Sequence, residues 1–346
     1  MIAERLTAQL LAGTPARDPV AVAERLLAVQ GQDPRGARLA IRARTTGLTA
    51  ADVDRALTEE RSLLITWLNR GTLHLVRSED YPWLQALTTP PLFTGNARRL
   101  TQLGVTENLA DRGVKAIERS LAEEGPLTRV QLRERIAAAG APTEGQALVH
   151  LLMLASLRGL AVRGPMIGRE HAYVLARDWL GDSAPVDRDR GLAELARRYL
   201  AGHGPAGDRD LAKWAGLPLR DARAGLRAIA SELDERADGR VDLAGRPPAA
   251  GLPPPRLLGS FDPILLGWRS REPLLASHEV VVTGNGLFRP FALVGGRAAG
   301  VWKLSTGGVR LEPFRRLTRK DAAALDADAS DVLRYLSVGV EPRHLG

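Results

Sequence analysis

The sequence predicts an α+β protein with three tandem winged-helix domains followed by a small antiparallel β-barrel. The first observation is a repeated order: within residues 1–246, a group of amphipathic helices is followed three times by a short hairpin pattern, which is the element order of a winged helix. The second is a change of period beyond residue 256, where apolar residues follow strand patterns and glycine turns recur at 284–286, 295–296 and 307–308.

The first winged helix, with a connecting helix, is predicted over residues 1–105. Asp18-Pro19 and Asp33-Pro34 each supply an N-cap residue followed by proline at the first helical position. Helices are expected over 2–12, 19–29, 34–44 and 49–57, and strands over 63–68 and 71–76.

The second and third winged helices are predicted over residues 106–180 and 187–246. The sequences of these two segments align with each other, because residues 139–142 in one and 215–218 in the other each end a short helix and begin the next one. Their helices are expected over 107–124, 128–139, 143–158, 189–201, 208–215 and 219–230, and their strands over 160–163, 171–175, 232–236 and 240–243.

A proline-rich linker over residues 246–255 marks the next boundary, and the β-barrel is predicted over 256–346. A helix over 321–336 should close the chain. The strands of the barrel are expected over 279–283, 291–294, 298–304 and 309–314.

The composition favours a polyanionic partner and excludes several kinds of chemistry. The 346 residues carry a formal net charge of +8, and only four of the 48 basic residues are lysines. Arginine binds phosphate bidentately and stacks on bases, although a GC-rich genome would explain the same bias equally well. Without cysteine, thiol catalysis, disulfides and zinc fingers are excluded. No apolar run approaches the roughly 20 residues that span a bilayer, so we expect a cytoplasmic protein without membrane association.

The stretch that carries candidate chemistry is a glutamine turn at residues 29–34. Gln30 and Gln32 flank Gly31, and they would point to opposite sides of a continuous helix. Gly31 is the residue type favoured just past a helix end, and Asp33-Pro34 opens the next helix. We therefore expect both amides on a tight interhelical turn where they could converge. The alternative is a pair of solvated amides at a helix end.

Four motifs in order resemble the AlkZ group of winged-helix DNA glycosylases. They are the glutamine turn, a hairpin motif at residues 66–76, the stretch 260–268 with Arg271, and residues 286–290 leading to 300–303. The resemblance covers most of the chain. It implies a monofunctional glycosylase for N7-alkylated purines in double-stranded DNA, in a group where some members unhook interstrand crosslinks. No cofactor is implied.

The resemblance implies that Gln30 and Gln32, which match the glutamine turn of the group by position, are the pair that positions the attacking water. An N7-alkylated purine is cationic and leaves without further protonation, so a neutral amide can act through geometry and electrostatics. Neither glutamine is a covalent nucleophile, and no lyase activity is implied. Characterised members tend to carry a larger apolar residue where this chain has Gly31, and a glycine would loosen the turn.

The predicted DNA contacts come from both ends of the chain. Spacings of three and four place Arg35, Arg38 and Arg42 on one helix face. Arg70 is expected at the hairpin tip, and strand alternation places His74 outward on the wing. The alternatives are a solvated Arg70 and a structural role for His74. The motifs of the C-terminal third add Asp262, Arg271, Arg289 and Lys303 to the predicted DNA-binding residues.

Other functions remain open from the sequence. The six histidines lack the close spacings of metal ligands, so no metal site is predicted. A winged-helix DNA-binding regulator without chemistry is the main alternative, and a protein that binds bulky adducts without cleavage is another. We expect a monomer whose partner is double-stranded DNA with alkylated purines or crosslinks.

Overall fold

A computed structural model describes residues 1–182, 185–276, 279–284, 286–306 and 308–337. Its helices are α1 (Ile2–Ala8), α2 (Pro19–Leu26), α3 (Pro34–Arg42), α4 (Ala50–Thr58), α5 (Tyr81–Thr88), α6 (Leu92–Gln102), α7 (Glu107–Glu124), α8 (Arg129–Ala138), α9 (Ala147–Leu157), α10 (Ala176–Leu180), α11 (Arg188–His203), α12 (Asp208–Ala215), α13 (Leu219–Ala228), α14 (Glu272–Leu275) and α15 (Arg319–Tyr335). Its strands are β1 (Val29–Gln30), β2 (Leu63–Leu68), β3 (Thr72–Arg77), β4 (Ala161–Ile167), β5 (Glu170–Leu175), β6 (Leu233–Glu235), β7 (Val241–Leu243), β8 (Arg256–Leu258), β9 (Phe291–Val294), β10 (Arg297–Ser305) and β11 (Gly308–Pro313).

The chain forms two compact units that interleave along the sequence. Unit 1 comprises Met1–Val53, Arg197–Leu211 and Ile229–Gly346, and unit 2 comprises Asp54–Ala196 and Ala212–Ala228. The helices and hairpins predicted for the three winged helices occur in the expected order. The division of the chain into three winged-helix domains and one C-terminal domain, at the predicted boundaries, stays a prediction. Among the described residues, no helix is both long and apolar enough to cross a bilayer.

Unit 2 combines two predicted hairpins in one antiparallel sheet with strand order β3-β2-β4-β5. The register of the first hairpin runs from Leu63 opposite Arg77 to Leu68 opposite Thr72, and Ile65 pairs with Arg163 to join the second hairpin. Both faces of β2 are buried. The two predicted wings therefore share a sheet and a core.

The helices of unit 2 begin where the sequence supplies caps. Thr106 accepts a hydrogen bond from the Leu109 amide at the start of α7. Thr128 and Gln131 form a reciprocal capping box at the start of α8. Helix α9 is apolar around its circumference and nearly all of its residues are buried, so it forms core and cannot lie in a DNA groove.

Unit 1 contains an open four-stranded antiparallel sheet in the order β11-β10-β9-β8, and not the predicted barrel. Residues 279–283 contribute a single bridge, between Val282 and Phe288, while β8 supplies the fourth strand. With four short strands, the described part of the sheet does not close. Its apolar face packs with α3 and α15 around a buried core of Leu39, Leu257, Ala292, Val294, Ala299, Trp302, Leu325 and Val332.

A fully buried ion pair anchors the end of α3 within unit 1. The side chains of Arg44 and Asp262 are both 0% exposed, and their nearest charged atoms are 2.8 Å apart. Arg44 also donates to the carbonyl oxygens of Gln9 and Ala40 and to the side-chain oxygen of Gln9. Asp262 in turn accepts from the Ile264 amide. Asp262, a predicted DNA contact, is therefore a structural partner of Arg44.

The prediction that His74 faces outward on the wing is wrong. Its side chain is buried, as are those of Leu73 and Leu75 on the opposite face of β3. Alternation predicts exposure only where one face of a strand is solvated, and here both faces are covered. The imidazole Nδ1 lies 2.9 Å from the Thr72 carbonyl oxygen. Burial, and after it the charge of Arg70, lowers the pKa of His74 from 6.5 to about 3.

Removing the charge of Asp262 should destabilise the protein strongly. Asp262→Asn keeps the shape of the side chain and an acceptor for the Ile264 amide but leaves the Arg44 guanidinium buried without a counter-charge, which costs about 3 kcal/mol or more. The measurement is the free energy of unfolding in urea. Arg17→Ala, at an exposed ion pair with Asp18, is the control and should change little. An Asp262→Asn variant as stable as Arg17→Ala would contradict the anchoring role.

The stability of the protein should fall as the pH drops from about 6.5 toward 3, in part because of His74. Unfolding restores the ordinary pKa, so the unfolded state binds the extra proton across this range, and the free energy of unfolding should lose up to about 1.4 kcal/mol per pH unit. Urea titrations at several pH values should show a flatter profile for His74→Gln. His150→Gln, at a histidine that is only partly buried, should flatten it less. Identical pH profiles of stability for wild type and His74→Gln would refute the assignment of this pH dependence to His74.

Candidate functional site at the glutamine turn

The segment between α2 and α3 carries both glutamines outside any helix. Helix α2 ends at Leu26, three residues before the predicted end, because Leu27 adopts a left-handed conformation with φ of 64°. Val29 and Gln30 then form the extended strand β1. The predicted role of Gly31 in ending the helix is therefore wrong, and Leu27 takes that role. The placement of both amides on an interhelical connection holds.

The two glutamines differ in environment. Gln30 is 6% exposed, whereas Gln32 lies at the surface. The next residue, Asp33, accepts a hydrogen bond from the Arg35 amide at 3.0 Å and so caps α3, with Pro34 in the first turn as predicted. The cap fixes the direction in which the chain leaves the turn. The Gln30 side chain is thus buried, and the Gln32 side chain is exposed.

The arginines of α3 do not form the predicted common DNA-binding face. Arg35 is exposed, but Arg38 is buried and donates to the Pro34 carbonyl oxygen. Arg42 is also buried, and its guanidinium lies 2.8 Å from both Asp328 and Asp331. Burial is the largest single influence and lowers the pKa of Arg42, but the two carboxylates together outweigh it, so the pKa is raised. We assign Arg42 a structural role in place of the predicted DNA contact.

Arg70 occupies the tip of the β2–β3 hairpin, as predicted, with a left-handed backbone (φ 57°). Its guanidinium donates to the Trp214 carbonyl oxygen within unit 2. It is partly buried, and its backbone leaves no room for a Cβ on Gly216. This tip is therefore packed within unit 2, which the sequence pattern of the hairpin did not reveal.

The remaining predicted contacts lie in the C-terminal part of unit 1. Arg289 and Lys303 are exposed, and the ammonium of Lys303 lies 3.5 Å from Glu312. Arg271 is half-buried and donates from Nε to the Leu265 carbonyl oxygen at 2.6 Å. Burial lowers the pKa of Arg271. These three residues stay predictions for DNA binding, and Arg289 and Lys303 have the more accessible charges.

The structure adds a feature that the sequence did not reveal, the packing of residues 259–262 against α3. A Cβ on Gly36 would overlap the Ser260 carbonyl oxygen, and a Cβ on Gly259 would lie 2.9 Å from that of Leu39. Two glycines therefore allow the close approach. The available signal was the combination of Gly36 in the first turn of a helix with Gly259 before the motif at 260–268.

The motif at 260–268 is also fixed at its far end. Trp268 donates from its indole to the His203 carbonyl oxygen at 3.0 Å, and Tyr199 donates to the Gly267 carbonyl oxygen at 2.7 Å. The Arg5 guanidinium lies 4.4 Å from the centre of the Trp268 ring. Within the described ranges, no three potential ligand side chains come together as a metal ion would need.

Comparison with known proteins agrees with the resemblance drawn from the four motifs. A family model for AlkZ-like DNA glycosylases matches residues 23–335. The interstrand DNA cross-link repair glycosylase of Streptomyces sahachiroi is 27% identical over 348 residues, covering 93% of this chain and 91% of that protein. The solved structure of the Streptomyces sahachiroi DNA glycosylase AlkZ has the same fold, with a TM-score of 0.80 and 24% identity over 96% of this chain and 95% of that chain. The chain belongs to the AlkZ-like DNA glycosylase family.

Proposed function

We propose that this protein is a monofunctional DNA glycosylase that hydrolyses the N-glycosidic bond of N7-alkylated purines in double-stranded DNA, including purines joined in interstrand crosslinks. The observation that carries the proposal is the glutamine turn, which presents Gln32 at the surface directly before the capped start of α3. Family membership and the crosslink-repair name of the Streptomyces relative support the substrate class.

The proposed chemistry suits a neutral side chain. Alkylation at N7 makes the purine a good leaving group, so the enzyme has to orient one water toward C1′ and support positive charge on the sugar. A carboxamide oxygen can accept a hydrogen bond from that water and lies near the developing charge without needing a proton of its own. In this proposal Gln32 contacts the attacking water from the surface, and the buried Gln30 helps to orient the same water.

A monofunctional reaction is favoured by the residues near the turn. A lyase needs an amine to form a Schiff base with the sugar. The turn and α3 carry no lysine, since the first one in the sequence is Lys115, and the N-terminal amine pairs with Glu4 at 2.8 Å. Hydrolysis by water is therefore the reaction proposed. The cytoplasmic location and monomeric state stay predictions.

Replacement of Gln32 should abolish catalysis without unfolding the protein. Gln32→Ala removes an exposed side chain, so the melting temperature should stay within a few degrees, while the single-turnover rate of base release from N7-methylguanine duplex should fall by about 100-fold or more. Gln30→Met should also lose activity, since it keeps the volume of a buried residue but removes its amide. Gln102→Ala, at an exposed glutamine of α6, is the control. Wild-type rates in both glutamine-turn variants would overturn the proposal.

Arg35 should contribute to DNA affinity without reading sequence or damage. Arg35→Ala removes an exposed cation beside the turn, so binding should weaken to a similar degree on damaged and undamaged duplex. The slope of log affinity against log salt should decrease by about 1. Arg35→Lys, which keeps the charge, should retain most of the slope. Salt titrations of fluorescently labelled duplex provide the measurement. An unchanged slope of log affinity against log salt in Arg35→Ala would show that Arg35 does not contact DNA.

A further inference from the structure

The backbone of Phe261 is unusual and is fixed from both sides. Its φ of 56° is a left-handed conformation that aromatic residues rarely adopt. On one side, the Ser260 carbonyl oxygen lies against Gly36 of α3. On the other, Asp262 is bound to the buried Arg44. Such conformations persist where the surroundings impose them, and they cluster at ligand-binding sites.

The ring of Phe261 takes part in a small stack outside the sheet core. Phe261 and Phe288 are both half-buried, and their ring centres are 4.9 Å apart with planes inclined by 30°. The Arg271 guanidinium lies 5.2 Å from the centre of the Phe288 ring and is held by the Leu265 carbonyl oxygen. We call Phe261, Phe288 and Arg271 the aromatic platform. Part of its apolar surface remains accessible to solvent.

The aromatic platform is attached to the element that begins at the glutamine turn. Ser260 packs on Gly36, which lies in the first turn of α3, and Asp33 caps that same turn directly after Gln32. The buried ion pair between Asp262 and Arg44 fixes this packing. The backbone that carries Phe261 is therefore packed on the first turns of the helix that begins at the glutamine turn.

We propose that the aromatic platform stacks a purine base of the DNA beside the glutamine turn and thereby selects unpaired or displaced bases. Every base presents a flat π face, and stacking on an aromatic side chain strengthens binding without sequence readout. The cationic Arg271 adds an attraction to the π face and to nearby phosphate. This inference rests on the proposed function for the identity of the ligand as DNA, but it does not require cleavage.

The test uses Phe261→Gly, a substitution that suits the backbone. Glycine adopts positive φ without strain, so the variant should fold with an unchanged or higher melting temperature while losing the ring. The probes are two duplexes, one with a single extrahelical adenine and one with an abasic spacer at the same position. Wild-type protein should bind the adenine duplex about tenfold more tightly, in line with the contribution of one stacked base.

The preference for the adenine duplex should disappear in Phe261→Gly and persist in Phe261→Tyr, which keeps a ring. Phe93→Ala, at a half-buried phenylalanine of α6 in unit 2, should keep the wild-type preference. Equal wild-type affinities for the two duplexes, or an undiminished preference in folded Phe261→Gly, would overturn the proposal. Because the assay reads binding, a protein that shows this preference but releases no base would refute the glycosylase function and leave the aromatic platform supported.

Discussion

The buried ion pair between Arg44 and Asp262 is the interaction on which the arrangement of unit 1 depends. It joins the segment after α3 to the motif at residues 260–268, and the guanidinium also binds Gln9 just after α1. A charge without solvent exposure is tolerated only when every donor finds an acceptor. One satisfied pair therefore joins the segment after α1, the segment after α3 and the motif that contains Phe261.

The same requirement changes the interpretation of the arginine-rich composition. Arg42 and Arg44 are buried against carboxylates, and Arg163 lies 4.9 Å from the rings of both Trp67 and Tyr173 within unit 2. Arginine suits such places because its planar group forms several hydrogen bonds and stacks on aromatic rings. The formal charge of +8 therefore does not by itself mark a DNA-binding face, and the exposed Arg35 carries that role in the proposed function.

Local sequence patterns were sufficient to predict the helices and strands. The burial and contacts of individual side chains depend on long-range packing, and they were not predicted. The bounds of β2 were predicted at 63–68 and observed as Leu63–Leu68, because an apolar run and a turn are local signals. The Asp33-Pro34 cap was likewise predicted. The burial of His74 and the packing of Ser260 on Gly36 depend on residues distant in sequence. The positive φ of Leu27, which ends α2 after Leu26, occurs at a residue type that gives no such signal in the sequence. The site was therefore predictable as a motif, whereas the surroundings of each side chain were not.

The most direct measurement of the central claim is the fate of a crosslinked or N7-methylguanine duplex incubated with the protein, resolved on a denaturing gel with and without alkali. Hydrolysis by water predicts intact strands that break only after alkali treatment reveals the abasic site. N7-methylguanine leaves as the free base, whereas a crosslinked purine separates from one strand and stays attached to the other. Strands broken without alkali would show a lyase. DNA that stays resistant to alkali would show that this protein binds its substrate without cutting the glycosidic bond, and either result would contradict a monofunctional glycosylase.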